Sequence, residues 1–312
     1  MFRSLKVRKT FLWSVKILVF ILVCFILIQQ LRKISLEDLD ALYLHNSWYL
    51  LLAVLLVLPN WGLEFLKWFV TVRAVDHKTS TSNIIRSLFA GISTGFVTPN
   101  RLGNFIGRML YFKGRSRSFL ILGTLYGNLA QFLASFFFGL IGFFHIAPLV
   151  LYADEKSYIA YSGFILGGLS ILLYILFPFL PIEDARRFKR RYNVLVLFRK
   201  GSKRLVLPLL LLSLFRYLIF VMQFSLLLVA FGAEYTHELI YALYLHYVIV
   251  TLIPSVLMGK LVVRETVGLL VLGSFIPDKM IIVAASLCLW LINLAFPALL
   301  GLYFLFKSKY QK

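Results

Sequence analysis

Apolar runs of about 20 residues, each long enough to cross a ~30 Å hydrocarbon core as a helix, recur along this chain from Phe11 to its C-terminus. The first, Phe11–Ile28, follows Arg3, Lys6, Arg8 and Lys9. Gln29, Gln30, Leu31, Arg32 and Lys33 come after it, where a cleavage site would show small residues, so an uncleaved span with a cytoplasmic N-terminus is expected. Further spans are predicted over Trp48–Val72, Phe119–Val150, Tyr158–Pro181, Leu205–Phe231 and Met280–Phe306. The links between them alternate in charge. Glu37, Asp38 and Asp40 mark one side, as do Asp154, Glu155, Glu234 and Glu238; Arg73, Lys78 and Arg86 mark the other, with Arg186–Arg204 and Lys307, Lys309 and Lys312. Lys and Arg collect in cytoplasmic loops, so both termini are placed inside.

Two segments break this pattern. Ser87–Phe112 is apolar at both ends but interrupted by Thr98-Pro99-Asn100-Arg101-Leu102-Gly103-Asn104. Each arm of about ten residues is roughly 15 Å of helix, half a bilayer, and basic residues flank both ends. That predicts a hairpin entering from the cytoplasmic side, with a polar tip near mid-membrane that survives only inside protein or around water. Leu239–Ile276 is broken in the same way by Ile253-Pro254-Ser255-Val256-Leu257-Met258-Gly259-Lys260. The expected fold is an all-α polytopic membrane protein: six full transmembrane helices plus two re-entrant hairpins entering from opposite faces, with eight full spans as the alternative. The whole chain, 1–312, reads as one integral-membrane domain with a basic cytoplasmic loop at 182–204.

Composition agrees. Hydrophobic residues make up 61% and charged residues 15%, against about 45–50% and 25% in soluble domains, which excludes a soluble enzyme, a disordered tail and a collagen-like fibre. The 33 basic residues outnumber the 13 acidic ones, for a formal charge of +20. In a membrane chain this reflects cytoplasmic loops, so nucleic acid is not the expected partner. Cys24 and Cys288 both sit in apolar runs and are expected as buried free thiols. The five histidines are dispersed, and metal-ligand clusters, HExxH, GxSxG and GxxxxGK[ST] are all lacking. No enzyme activity, metal or cofactor is expected, although Glu64 or Glu265 could serve as a base in a membrane transferase.

The intramembrane polar residues carry the candidate chemistry. In the first broken segment Thr98 can cap a helix and Pro99 suits its first position, after which Arg101, Asn104 and Arg108 share one helix face. Free backbone N–H groups beside two guanidinium groups suit a phosphate or carboxylate. The plainer reading has Arg101 capping carbonyls of the neighbouring arm and Arg108 reaching for the cytoplasm. In the second segment Lys260 and Arg264 share a face, and Glu265 either pairs an arginine at a second anion contact or only satisfies the hairpin. Glu64 and Lys67 are spaced to pair with each other. Asn128 with Gln131, and Arg216 with Gln223, share faces of their spans, where interhelical hydrogen bonding is the simpler role for the amides. His246 stands alone and reads as a core histidine.

At its two broken segments the chain resembles the membrane flippase-type domain of the lysylphosphatidylglycerol synthase/flippase family and its stand-alone relatives. That family shows a glycine-rich arm, a Pro-x-Arg-x-Gly-Glu element and a following arginine; here these read Gly91, Gly95, Pro99-Asn100-Arg101-Leu102-Gly103-Asn104 and Arg108. A later Pro- and Gly-rich element ending near a glutamate reads Pro254-Ser255, then Gly259 through Glu265. The resemblance carries over Pro99, Arg101, Gly103, Arg108 and Glu265. Asn104 replaces the family glutamate, and the cytosolic aminoacyltransferase domain of bifunctional members is not expected. The resemblance implies movement of a phospholipid or lipid-linked anionic headgroup between leaflets of a bacterial inner membrane, with anionic membrane lipids as partners. A transporter of a small soluble anion and a non-transporting scaffold are the alternatives; a homo-oligomer is compatible with each.

Overall fold

The computed structural model describes residues 43–96, 98, 101–112, 116–146, 153–179, 203–254 and 259–309, together with Ile21, Phe25, Ile28 and Gln29. For 116, 153–162, 164, 259, 260 and 306–309 the backbone alone is described. Nearly all of the expected first span, Pro99, the Ser255–Met258 tip and nearly all of the basic loop at 182–204 lie outside these residues.

The described chain is helical. α1 (Ser47–Leu55) and α2 (Val57–Arg73) join at Leu56 into one 27-residue apolar span, Ser47–Arg73. α5 (Ser116–Ile146), α7 (Val206–Ala230) and the composite of α10 (Lys279–Trp290) with α11 (Phe296–Lys309) supply three further helices long and apolar enough to cross a membrane. α6 (Ala153–Leu176) lies against α5. Asn46, Thr236 and Asp278 cap their helices by accepting the backbone N–H of Trp48, Leu239 and Met280, as short polar side chains do at helix starts.

Both broken segments fold as antiparallel helical hairpins. The first pairs α3 (Thr81–Phe96) with α4 (Gly103–Met109). Its arms are unequal, because α3 starts six residues before the expected Ser87. Glycines set how close the two backbones come. A Cβ at Gly103 would overlap the Thr94 carbonyl, and one at Gly107 would overlap the Ala90 carbonyl and Thr94 Oγ1. Thr94 Oγ1 fills the gap, donating to the Gly103 carbonyl at 2.6 Å and lying 2.8 Å from the Ala90 carbonyl. The second hairpin pairs α8 (His237–Leu252) with α9 (Gly259–Val271). It closes on an apolar seam of Val250, Val263 and Val267.

The hairpins enter the bundle from opposite ends. Trp68 Nε1 donates to Ser87 Oγ at 2.8 Å, so α3 runs back along α2 from the Arg73 end. At the other end the backbone N–H of His45 donates to the Ala230 carbonyl at 2.9 Å, which places the end of α7, and therefore the start of α8, beside the start of α1. α8 then runs antiparallel to α5: His145 stacks on Tyr241 at 3.7 Å, while Gly139 faces Val248 one helical turn or more further in. The last span is broken at its middle by a π-helical turn, Leu291–Ala295. Pro297 lacks an N–H for the Asn293 carbonyl, and proline or a π-turn is the usual cause of such an irregularity. The turn directs Asn293 into the bundle, where it is buried.

Candidate functional site

Halfway along the Ser47–Arg73 span, beside the Arg101 turn of the first hairpin, the bundle holds a cavity of about 290 Å³. Its walls include Trp61, Glu64 and Lys67 from α2, Asn128 and Gln131 from α5, Arg216 from α7, Arg101, Asn104 and Arg108 from the first hairpin, and Thr251 from the second. Side chains from across the whole sequence therefore meet at one depth.

Glu64 is the electrostatic centre. Arg108 reaches it at 2.7 Å, Arg216 at 3.1 Å and Lys67 at 3.6 Å. Each cation is held by a further group. Arg108 Nε donates to Asn104 Oδ1 at 2.9 Å, and its guanidinium lies 4.8 Å from the centre of the Trp68 ring. Arg216 Nε donates to Asn60 Oδ1 at 3.0 Å, and Lys67 Nζ to Gln131 Oε1 at 3.4 Å. Arg108 is thus buried on Glu64 and does not reach for the cytoplasm. One carboxylate taken out of water is tolerable when several cations face it, and removing it would strand those cations.

A buried amide cluster supports this centre from the side facing the Asn46 end. Asn60 Nδ2 donates to Gln223 Oε1 at 3.1 Å and to Asn293 Oδ1 at 2.7 Å; Asn293 Nδ2 donates to Gln223 Oε1 at 3.2 Å; Gln223 Nε2 donates to the Ala53 carbonyl at 2.9 Å. These bonds tie α1, α2, α7 and the π-turn together and orient Asn60 toward Arg216. The Gln223 and Gln131 amides do bond between helices, Gln131 through the Ser213 carbonyl at 3.2 Å.

Arg101 is placed differently from the expectation. It is not on the face of α4 but in the preceding turn, at φ +57°, with its N–H on the Thr98 carbonyl at 3.1 Å. Thr98 Oγ1 accepts from Gly103 N–H at 2.7 Å, which starts the helix only at Gly103 and leaves the turn before it. A non-glycine residue in the left-handed region is uncommon and strained, and such positions concentrate at functional sites. Here the turn brings Arg101 to the cavity wall, where its Nε is buried with no hydrogen-bond partner. The Trp61 indole N–H, on the same wall, is likewise buried without one. Two buried donors and a cation-rich lining therefore sit side by side on this wall.

Among the described residues of the second hairpin, Thr251 lines the cavity. Arg264 donates to Ser286 Oγ at 3.0 Å and to the Ser286 carbonyl at 2.6 Å on α10. Glu265 is buried nearby. The ion pairs of Lys67, Arg108 and Arg216 converge on Glu64, and among the described residues none joins Glu265 to an arginine. Lys260 sits in the first turn of α9, and its side chain lies outside the described residues. His246 is buried between Phe224 and Tyr247.

Asn60, Trp61 and Asn293 were missed by reading the sequence. Asn60 lies one helical turn before Glu64 and directly after Pro59, so a polar face through positions 60, 64 and 67 was present to be seen. Asn293 lay hidden because only the π-turn rotates it inward.

The sequence profile described as the lysylphosphatidylglycerol synthase TM region matches residues 13–301. The chain belongs to that family. Neither the curated proteins nor the solved structures supply a match. The chain is therefore a multi-pass membrane protein with an all-α fold.

Proposed function

We propose that this protein moves a phospholipid or a lipid-linked anionic headgroup between leaflets, with the headgroup phosphate held at Arg101 and Trp61. The observation that carries the reading is the imbalance of the cavity. Lys67, Arg101, Arg108 and Arg216 line it against the single carboxylate of Glu64, so the lining bears a formal excess of three positive charges. Glu64 pairs three of those cations and leaves Arg101 Nε without an acceptor. An arginine at membrane depth costs about 2.5–3.5 kcal/mol even on lenient scales. An arriving phosphate offsets that cost by accepting from Arg101 and Trp61, and by competing with Glu64 for Arg108 and Arg216. Tips of opposed broken segments near the midplane are the usual setting for such a site in transporters.

The Arg73 end carries Arg73, Lys78, Arg86, Arg117, Lys203 and Arg204, while Glu234, Glu238 and Asp278 lie toward the opposite end. In this reading the Arg73 end faces the cytoplasm of a bacterial inner membrane, the termini are inside, and no catalytic chemistry is assigned. The test is a leaflet-resolved assay in proteoliposomes made from phosphatidylcholine with a minor fraction of phosphatidylglycerol. Arg101→Ala is expected to fold and to lose movement of the anionic lipid; unchanged movement would remove Arg101 from the site. A soluble-anion transporter would use the same cations. It would take up inorganic phosphate into the vesicles and leave the lipid distribution unchanged.

A further inference from the structure

Beside the cationic cavity lies a second hollow of different character. A groove of about 310 Å³ runs along the outside of the bundle between α4 and α5, lined by Phe105, Ile106, Met109, Leu110, Arg117 and Ile121. Its walls are apolar apart from Arg117, which stands exposed at the start of α5, at the Arg73 end. At the inner end Phe105, half-buried, belongs to both hollows: one residue divides the groove from the cavity that holds Arg101 and Arg108. The groove is open along its length. Ile106 and Leu110 on α4 are 64% and 58% exposed, and Ile121 on α5 is 37% exposed.

The geometry points to this groove as the loading site for one acyl chain of the anionic lipid, with Phe105 as the divider that must swing aside before the headgroup enters the cavity. This rests on the lipid reading above and deepens it: it names a two-part ligand, apolar tail and anionic head, and a lateral route for it. Three observations join here. The groove meets the cationic cavity at Phe105, so an amphiphile finds matching surfaces in sequence. An exposed cation stands at the bundle end of the groove, where an anionic headgroup lies before loading. And α4 is too short to span, so its tip stops at mid-depth and leaves the passage at Phe105 where a full-length helix would have closed it. A free phosphate or a soluble phosphomonoester needs none of the groove.

A reversible closure tests this in the full chain. In a Cys24→Ser, Cys288→Ser background, Ile106→Cys and Ile121→Cys are bridged by a bifunctional thiosulfonate and released with a reductant. Two readouts are taken before bridging, after bridging and after release: movement of phosphatidylglycerol bearing a fluorescent acyl chain in phosphatidylcholine vesicles, and binding of inorganic phosphate to the purified protein, followed by Trp61 fluorescence. Bridging is expected to bring lipid movement down to the rate of protein-free vesicles, release is expected to restore it, and phosphate binding is expected to stay the same throughout. Lipid movement that continues at the unbridged rate would overturn the groove as the route. Loss of phosphate binding on bridging would also count against it, because closure would then be acting on the cavity itself. If the unbridged protein binds phosphate but moves no lipid, the lipid reading fails first, and that result is distinct from a failure of the groove.

Discussion

The two hairpins share one architecture and use it in opposite ways. In the first, glycines at 91, 103 and 107 let the arms meet backbone to backbone, and the polar side chains left over are delivered to the cavity: Arg101 from a strained turn, Asn104 and Arg108 from α4. In the second, valines fill the seam, and the guanidinium of Arg264 is spent on Ser286 of the neighbouring helix. Among the described residues, then, the first broken segment turns its charges to a hollow and the second spends Arg264 on the framework. What separates the two is whether the charge finds its partner inside the protein framework or is left facing a hollow.

That contrast can be broken or sharpened experimentally. The largest effect is expected from Glu64→Gln, which strands three buried cations. Loss of about 3–5 kcal/mol in stability is predicted, read as a fall in the thermal midpoint of the detergent-solubilised protein, with partial rescue by added phosphate or sulfate if an anion takes the vacant place. Next comes Gly103→Ala. Its new Cβ would overlap the Thr94 carbonyl, so the first hairpin should lose about 3 kcal/mol, whereas Gly273→Ala, just beyond α9 with open space around it, should change the midpoint little. A similar loss from both would erase the distinction between the hairpins.

The arginines divide in the same manner. Arg101→Ala should weaken phosphate binding by about 1.5–3 kcal/mol, roughly 10- to 150-fold, because a charge-assisted bond is lost, while the thermal midpoint holds. Arg264→Ala should do the reverse, lowering the midpoint and leaving phosphate titrations alone. Trp61→Phe removes a single neutral donor, so a loss of about 1 kcal/mol is expected when phosphate binding is followed by calorimetry. The smallest effect lies outside the membrane, in the loop that leads into the first hairpin. The Thr79 hydroxyl, with the backbone N–H groups of Lys78 and Thr79, holds the Asp76 carboxyl below its ordinary value of 3.8. A depressed carboxyl contributes stability above the unfolded value and loses it as the pH falls through the folded one. Amide exchange at Lys78 and Thr79 should therefore be protected at neutral pH, with the protection lost only below about pH 4. Asp76→Asn should remove this pH dependence and leave the membrane site untouched.

Much of the architecture could be read from the linear pattern. Apolar run length announced four described spans, and the breaks at Thr98–Asn104 and Ile253–Lys260 announced the hairpins, because a bilayer tolerates only internally satisfied backbone. Residue type announced that Glu64, Lys67, Arg101, Arg108 and Arg216 carry charge inside an apolar chain, where charge is rare and costly. Local spacing determined the Glu64–Lys67 pair, since three residues on one helix suffice to define it.

The convergence was a tertiary decision. Nothing in the linear chain tells Arg108 to meet Glu64, 44 positions away, or Arg216 to meet it from 152 positions away; that depends on which helices pack side by side. Arg101 looked like a residue on a helix face and became a left-handed turn residue because Thr98 caps Gly103 instead of its own next neighbours. Asn293 turns inward only because the last span is underwound at Leu291–Ala295. Hydrophobic periodicity depends on a residue's immediate neighbours and is written into the chain, whereas the pairing of buried charges depends on partners brought together by packing, and only the folded bundle supplies them.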